Sequence, residues 1–528
     1  MKICVLRNCS LLILLTFLFS DLSAQYNLSL SANFTYPASY EMSGCWGYTD
    51  STGNEYAIIG TSEGTSILDV TIPAVPEELF FIDGETNIWR EAKVWNNHAY
   101  ISTEAAGSGM LIIDLNNLPL SIDTITFKGD SIHPFNTAHT IFIDENGICY
   151  LFGYNVLIGA NEGAFIVDLN PDPMHPVYLG EFTGNYIHDG FARNDTLWAA
   201  EIYQGKFEAL DISDKSDIVL IGTQNTGALA THNCWLSDDG KYLFTTDETP
   251  LGFIESYDVS DVTDIKKLDA VKHGASTSTI AHNTYYLNSY IVTAHYSEGV
   301  SIHDVNQPDN MIEVAHYDTT PGGLSGFEGV WGVYPYFNSQ TIIATDRMGG
   351  VFILHPEYER ACYLQGFVTN ATTLANIFNA KIKIISTPAV DSTDLLGEYK
   401  TGYFQSGLYD IEISAAGCAT KIFNDIVLDH GETTTLNAAL DCWQLGIETS
   451  NIHIEFDAFY ISAEQTIQIN YDLTAAAGLD IRLINSMGQI IQSEKMDAHG
   501  ETIFPAQNLI PGIYFIEIGN ASKKVMVY

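Results

Sequence analysis

The chain has 528 residues and sets 22 Lys+Arg against 65 Asp+Glu, a net charge of −43 at pH 7. A field of that sign repels phosphate backbones and anionic lipid, so nucleic acid and acidic membrane surfaces are disfavoured as partners, while cations and basic protein patches are not. Only 16% of residues are charged, against 42 Gly, 29 Tyr and 26 Phe, which is the balance of an all-β chain rather than a helical bundle or a disordered acidic tail.

Lys2 and Arg7 precede an apolar run over residues 11–19, and Leu22-Ser23-Ala24 places small residues before Gln25. This pattern predicts a cleaved signal peptide over residues 1–24. No later segment approaches the roughly 20 apolar residues that a spanning helix needs. The expected mature protein is soluble and exported, without a transmembrane span. Cys4 and Cys9 leave with the peptide. Cys45, Cys149, Cys234, Cys362, Cys418 and Cys442 remain, without C-x-x-C or zinc-ribbon spacing, in a compartment that permits disulfides. Cys362 and Cys442 bracket one candidate domain and are expected to staple it.

Self-similarity dominates the next two thirds. Apolar strands ending in Asp or an equivalent recur with ends at Asp69, Asp114, Asp168, Asp211, Asp258, Asp304 and His355, separated by 45, 54, 43, 47, 46 and 51 residues. A period near 45 residues built of short strands predicts a β-propeller with one blade per repeat, hence seven blades. The unit is clearest from Thr231 to Val271. There the Asp239-Gly240 turn closes a hairpin, a third strand ends at Asp258, and Lys267-Leu268-Asp269-Ala270-Val271 supplies a fourth.

These strand endings, with Gly44-Cys45-Trp46-Gly47-Tyr48, Gly60-Thr61-Ser62-Glu63-Gly64 and the stretch from His232 to Asp247, resemble the LVIVD-repeat proteins of the choice-of-anchor B family. The resemblance implies the propeller fold over residues 25–360 and carries no reaction with it.

Aligning the residue that opens each inner strand gives Trp46, Arg90, His139, His188, His232, His282 and Trp331. The end of each second strand gives Glu63, Glu104, Tyr154, Glu201, Asp247, His295 and Asp346. Neighbouring strands run antiparallel, so both sets fall on one face of the disc and converge at one mouth of the channel. Two readings stand. A repeated His and Asp can be buried hydrogen-bond braces, one per blade. Alternatively, imidazoles and carboxylates around one opening form a metal or catalytic funnel, with His188 and His232 as first metal candidates among Arg90, His139, His188, His232, His282, Glu104, Glu201, Asp247 and Asp346. Arg90 cannot ligate a metal but can clamp a carboxylate or phosphate.

Weaker signals accompany these. Gly60-Thr61-Ser62-Glu63-Gly64 matches the nucleophile elbow, yet a strand rather than a helix follows it. Asp211-Ser213-Asp214-Asp217 and Asp258-Ser260-Asp261-Asp264 offer alternating oxygens that could hold structural calcium in blade turns, without the Gly and Glu of an EF-hand. Tyr334-Pro335-Tyr336-Phe337 could stack on a glycan ring.

At Cys362 the texture changes. Alternating strands and Gly-rich turns over residues 361–443 predict a small β-sandwich, and their order resembles carboxypeptidase regulatory-like domains, which implies a non-catalytic spacer. Residues 448–528 contain Ser486-Met487-Gly488-Gln489, Pro511-Gly512-Ile513-Tyr514 and the end Lys523-Lys524-Val525-Met526-Val527-Tyr528. They resemble the C-terminal sorting domain of type IX secretion substrates, which implies contact with that machinery and release or attachment at the cell surface. The expected fold is all-β, a seven-bladed propeller followed by two small sandwiches. The expected function is a secreted or surface-displayed module that binds a protein or glycan; the alternative is a metal-assisted hydrolase at the channel mouth.

Overall fold

The Asp that ends each repeat closes a turn. Asp69 Oδ1 accepts the Thr71 N–H at 2.9 Å, and Asp114, Asp168, Asp211, Asp258 and Asp304 accept the N–H two residues on at 2.8 to 3.0 Å. Such an Asx turn holds the chain as it leaves the third strand for the fourth. The seventh repeat puts His355 there, where the chain has no fourth strand of its own to enter.

We describe a computed structural model of the chain over residues 25–156, 163–273, 279–321, 326–443, 455–472, 479–495, 499–519 and 521–528. The expected signal peptide, residues 1–24, lies outside them. Two units result, residues 1–361 and 362–528.

The first unit holds seven four-stranded antiparallel sheets. Blade 1 is Met42–Thr49, Glu55–Thr61, Gly64–Asp69 and Glu77–Asp83. The inner strands of blades 2 to 7 are Arg90–Trp95, Thr140–Ile143, Asp189–Arg193, Thr231–Leu236, Thr284–Leu287 and Val330–Tyr334. Second strands such as Glu55–Thr61 are buried along their whole length, whereas outer ones such as Val219–Asn225 are half exposed. That gradient is what radial sheets packed face to face produce. Met42–Thr49 of blade 1 packs against the inner strands of both blade 2 and blade 7, so the ring closes. The protein is all-β, a seven-bladed propeller followed by two sandwiches.

Blade 7 takes its outermost strand from the other end of the unit. Leu28–Phe34 pairs antiparallel with Gly350–Pro356, from Leu28 opposite Pro356 to Phe34 opposite Val351. The ring is thereby fastened by its own N-terminal strand, and no free edge is left on Gly350–Pro356.

In the second unit, Cys362–Asn370 pairs with Glu398–Tyr403, Thr433–Thr435 and Ala438–Leu440, and this sheet faces Val390–Ser392, Lys381–Ile384, Gly407–Ser414 and Lys421–Leu428. Leu364, Val368, Ile382, Ile384, Ile411 and Ile413 fill the space between. The disulfide joins Cys418 to Cys442, which corrects the expected Cys362 pairing. Cys418 and Cys442 sit opposite each other in an antiparallel bridge, whereas the buried Cys362 opens a strand with its Sγ 3.8 Å from His430 Nδ1. The last sandwich sets Glu455–Ile461, Thr466–Asp472 and His499–Pro505 against a sheet of Ile490–Lys495, Asp480–Asn485, Gly512–Ile518 and Ala521–Val527. No helix among the described residues is long and apolar enough to cross a membrane.

Candidate functional site

Hydroxyls latch five of the seven blades to the next at the head of an inner strand. Thr345 Oγ1 donates to Ser43 O at 2.5 Å, Ser43 Oγ to Arg90 O at 3.1 Å, Ser102 Oγ to His139 O at 3.3 Å, Thr140 Oγ1 to His188 O at 2.7 Å and Thr246 Oγ1 to His282 O at 2.5 Å. His282 Nδ1 reaches Trp331 O at 2.6 Å. The equivalent carbonyls therefore belong to Ser43, Arg90, His139, His188, His232, His282 and Trp331. Blade 1 differs from the sequence alignment, since Ser43 rather than Trp46 takes its slot. A register shift between Met42 and Cys45 hides this from a count along the chain.

Blades 3 to 6 each contribute a His, and the four rings form one arc. Centroids lie 4.2 Å apart for His139–His188, 4.1 Å for His188–His232 and 4.3 Å for His232–His282, and Trp331 follows at 4.9 Å. All four imidazoles are buried. Burial, and then the neighbouring rings, hold the His188 and His282 pKa well below the usual histidine value, and burial lowers that of His232. These three are neutral at neutral pH, with a lone pair available.

The carboxylate that meets the arc is Glu248. Its Oε2 lies 3.7 Å from His232 Nε2 and its Oε1 3.9 Å from His282 Nε2, and it accepts the Tyr296 hydroxyl at 2.5 Å. Sequence alignment stopped one residue short, at Asp247. Asp247 is consumed by its own loop, where it accepts Thr226 Oγ1 at 2.5 Å and the N–H groups of Ala228 and Ala230. Asp346 likewise accepts Thr319 Oγ1 and the N–H groups of Met348 and Gly349. Glu201 runs along its own blade to Asn185 and Lys206, and burial together with Glu208 pushes its pKa up to about 7. Glu104 does reach the arc, with its Oε1 2.5 Å from His139 Nδ1. The Arg90 guanidinium donates to the carbonyls of Thr61, Ser62, Glu85 and Asn87. It is a backbone brace in this structure, not a clamp aimed at the mouth.

Below the arc the channel is closed. Trp331 Nε1 donates to Glu91 Oε1 at 2.9 Å, and Asn233 Nδ2 to Asp189 Oδ2 at 2.8 Å. Deeper still, Trp46, Phe142, Phe191, Trp235, Tyr285 and Tyr334 pack edge to face or tilted, with Lys93 Nζ 3.9 Å from the Trp46 ring centre. Trp46, missing from the mouth, belongs to this plug. The remaining cup, lined by Trp89, Glu91, the four His and Trp331, has room for a single water-sized guest.

Among the described residues, His188, His232 and Glu248 bring three metal-ligating atoms within 4.8 Å of one another. The Asp-rich turns offer no such convergence. Asp214 and Asp261 are spent on the N–H and hydroxyl groups of Ser216 and Thr263 within their own turns.

The loops on the cup side carry exposed apolar side chains: Trp89, Ile132, Tyr203, Leu229, Leu251, Phe253, Phe327 and Met348. The turns on the opposite face carry fewer, namely Ile72, Val75 and Leu120.

The sequence model of the secretion system C-terminal sorting domain matches residues 462–527. The last sandwich is thus a type IX sorting domain, and the protein is secreted or held on the outer cell surface. No curated protein matches the chain. Among solved structures, the computationally designed Ika8 protein aligns over 60% of this chain and 96% of its own, at 9% identity and a TM-score of 0.40. A likeness at that score carries no argument.

Proposed function

We propose that the protein is a surface-displayed or released binding module, exported through its sorting domain, whose cup-side propeller face docks a protein partner bearing basic groups. The observation that carries this reading is the crowding of exposed aromatic and aliphatic side chains onto the face that also holds the cup. Apolar anchors rimmed by charge are the composition of a protein-binding patch. Closure of the channel adds to it, because a ligand larger than a water molecule meets the face and not a lumen. The net charge of −43 suits a basic partner. The resemblance of residues 25–360 to LVIVD-repeat, choice-of-anchor B proteins, and of residues 361–443 to carboxypeptidase regulatory-like spacers, agrees with a body displayed for contact.

The test is site-specific photocrosslinking of the full chain at the cell surface. A crosslinker at Tyr203 or Phe327 is expected to trap one discrete partner, and one at Leu120 on the opposite face is not. Equal trapping from both faces, or none from either, refutes the reading.

A second reading, a metal-assisted hydrolase, is favoured by the Glu104–His139 pair beside the arc, since an imidazole held by a carboxylate is the arrangement of a general base. Its discriminating result is turnover that His139→Gln abolishes while the fold stays intact.

A further inference from the structure

At the mouth, His282 uses one ring nitrogen in a backbone brace and leaves the other. His282 spends Nδ1 on Trp331 O, and the His188 and His232 rings lean on the backbone carbonyls of His232 and His282 without completing a hydrogen bond. An imidazole whose Nδ1–H faces a carbonyl carries its lone pair on Nε2. This is the second-sphere arrangement that orients metal-ligating histidines in general.

The Nε2 atoms of His232 and His282 then meet a carboxylate. Glu248 sets Oε2 3.7 Å from His232 Nε2 and Oε1 3.9 Å from His282 Nε2. Acceptor faces acceptor, at distances too long for hydrogen bonds. Protonating the rings would relieve the mismatch, but each candidate imidazole is buried beside other imidazoles, where a proton is least welcome. A cation between them resolves it. Ligand atoms about 2.0 to 2.2 Å from a tetrahedral ion stand roughly 3.4 Å from one another, against 3.7 Å between Glu248 and His232 and at most 4.8 Å across the set of His188, His232 and Glu248, a gap that small side-chain rotations close. His188 and His232 line the cup, which has room for one small guest and is also lined by the Glu91 carboxylate, while Glu248 meets the His232 ring from outside that lining.

We propose that His188, His232 and Glu248 form a binding site for one borderline divalent transition-metal ion of the zinc class, with His282 beside them and one coordination position open toward the mouth. Two imidazoles and a carboxylate select zinc, cobalt or nickel over magnesium and calcium, which prefer all-oxygen shells. The structural role of the slots is unaffected, because the blade latches run through hydroxyls, Nδ1 atoms and carbonyls rather than through Nε2. The proposal stands apart from the partner-docking reading. A metal-free protein that still crosslinks, or a metal-loaded one that does not, tells the two apart.

The experiment titrates Co2+ into the full chain, purified without chelating tags and stripped of metal, and follows the visible absorption of the bound ion, with Zn2+ as competitor. The expected result is one equivalent of Co2+ giving the intense bands of a low-coordinate site, displaced by Zn2+ and not by Mg2+ or Ca2+. Glu248→Gln preserves shape and removes the anionic ligand; it is expected to weaken binding by about tenfold or more, as is His232→Ala, while Glu63→Gln, half-buried on blade 1 and bonded to Thr86, leaves it unchanged. Near-UV circular dichroism reports whether each variant keeps the propeller, and Glu248→Gln serves if His232→Ala does not fold. Absent Co2+ bands, displacement by Ca2+, or equal binding by Glu248→Gln and the parent protein would overturn the proposal.

Discussion

A second histidine cluster makes the propeller acid-labile in a way that can be calculated. His303 on the third strand of blade 6 faces Glu313 on the fourth, 3.7 Å away, and around them gather His273, His295, His316, Glu298, Asp318 and the Tyr26 hydroxyl, which donates to Glu313. Burial lowers the His303 pKa from 6.5 to about 4, opposed by the Glu313 charge and assisted by those of His273 and His316. A lowered histidine binds fewer protons folded than unfolded, so its stability contribution is complete above about pH 6.5 and falls as the pH drops toward 4. Linkage gives a loss of about 2 kcal/mol between pH 7 and pH 4.5 from this group alone. Burial lowers His295 and His316 as well, with the same sign. His273 opposes them, because burial is outweighed by its hydrogen bond and charge pairing with Glu313 at 2.7 Å together with the charges of Glu298 and Asp318, which raise its pKa, so that its contribution is present in acid and lost as pH rises through the folded value.

Urea unfolding read by tryptophan fluorescence is the assay, since six of the seven Trp, all but Trp443, lie in the propeller. Between pH 7 and pH 4.5 the parent protein is expected to lose stability steeply, and His303→Asn to lose about 2 kcal/mol less over the same interval. Comparing the two slopes cancels whatever His303→Asn costs at pH 7. Parallel slopes, or a gain on acidification, would refute the reasoning.

Gly222 in the outer strand of blade 4 lies against the backbone of blade 5, where an added Cβ would stand 2.1 Å from Val262 O; Gly222→Ala is therefore expected to cost about 1–3 kcal/mol in urea unfolding, with stability unchanged as the contradicting result. Deleting residues 25–34 removes the strand that fastens blade 7, and is expected to expose Gly350–Pro356 to limited proteolysis and promote association on size exclusion; an unaltered digest would show that the ring holds without it. Cys418→Ser opens a disulfide closing a separation of 24 residues, and the loop-entropy treatment puts the loss for that sandwich at about 3 kcal/mol, measured as a shift in its calorimetric transition.

The repeat was legible because its signature residue has a local job. An Asp that closes a turn two residues on must sit at that place in each unit that enters a fourth strand of its own, whatever the packing around it. The four His slots were legible for the related reason that they recur at the head of an inner strand. What escaped depends on register or on long-range pairing. Ser43 was hidden by the irregularity between Met42 and Cys45, and Glu248 by its neighbour Asp247, which fits the repeat but spends its oxygens on backbone. The N-terminal strand lacks a terminal Asp, although the alternation in Leu28–Phe34 was a usable sign of a strand awaiting a partner. The blade 6 cluster had no sequence signal at all. His303 and Glu313 become neighbours only through the pairing of their strands, as does His316 opposite Ser301.

The measurement that tests the cup most directly is elemental analysis of the full chain recovered from the cell surface or medium of its producing cells, without chelating tags and after dialysis against metal-free buffer. About one equivalent of zinc, cobalt, nickel or a similar ion in the parent protein, and a small fraction of that in folded Glu248→Gln, is the expected result. A parent protein that is folded and free of such metals, and that takes up none when it is supplied, would contradict it and leave the histidine arc as a buried brace.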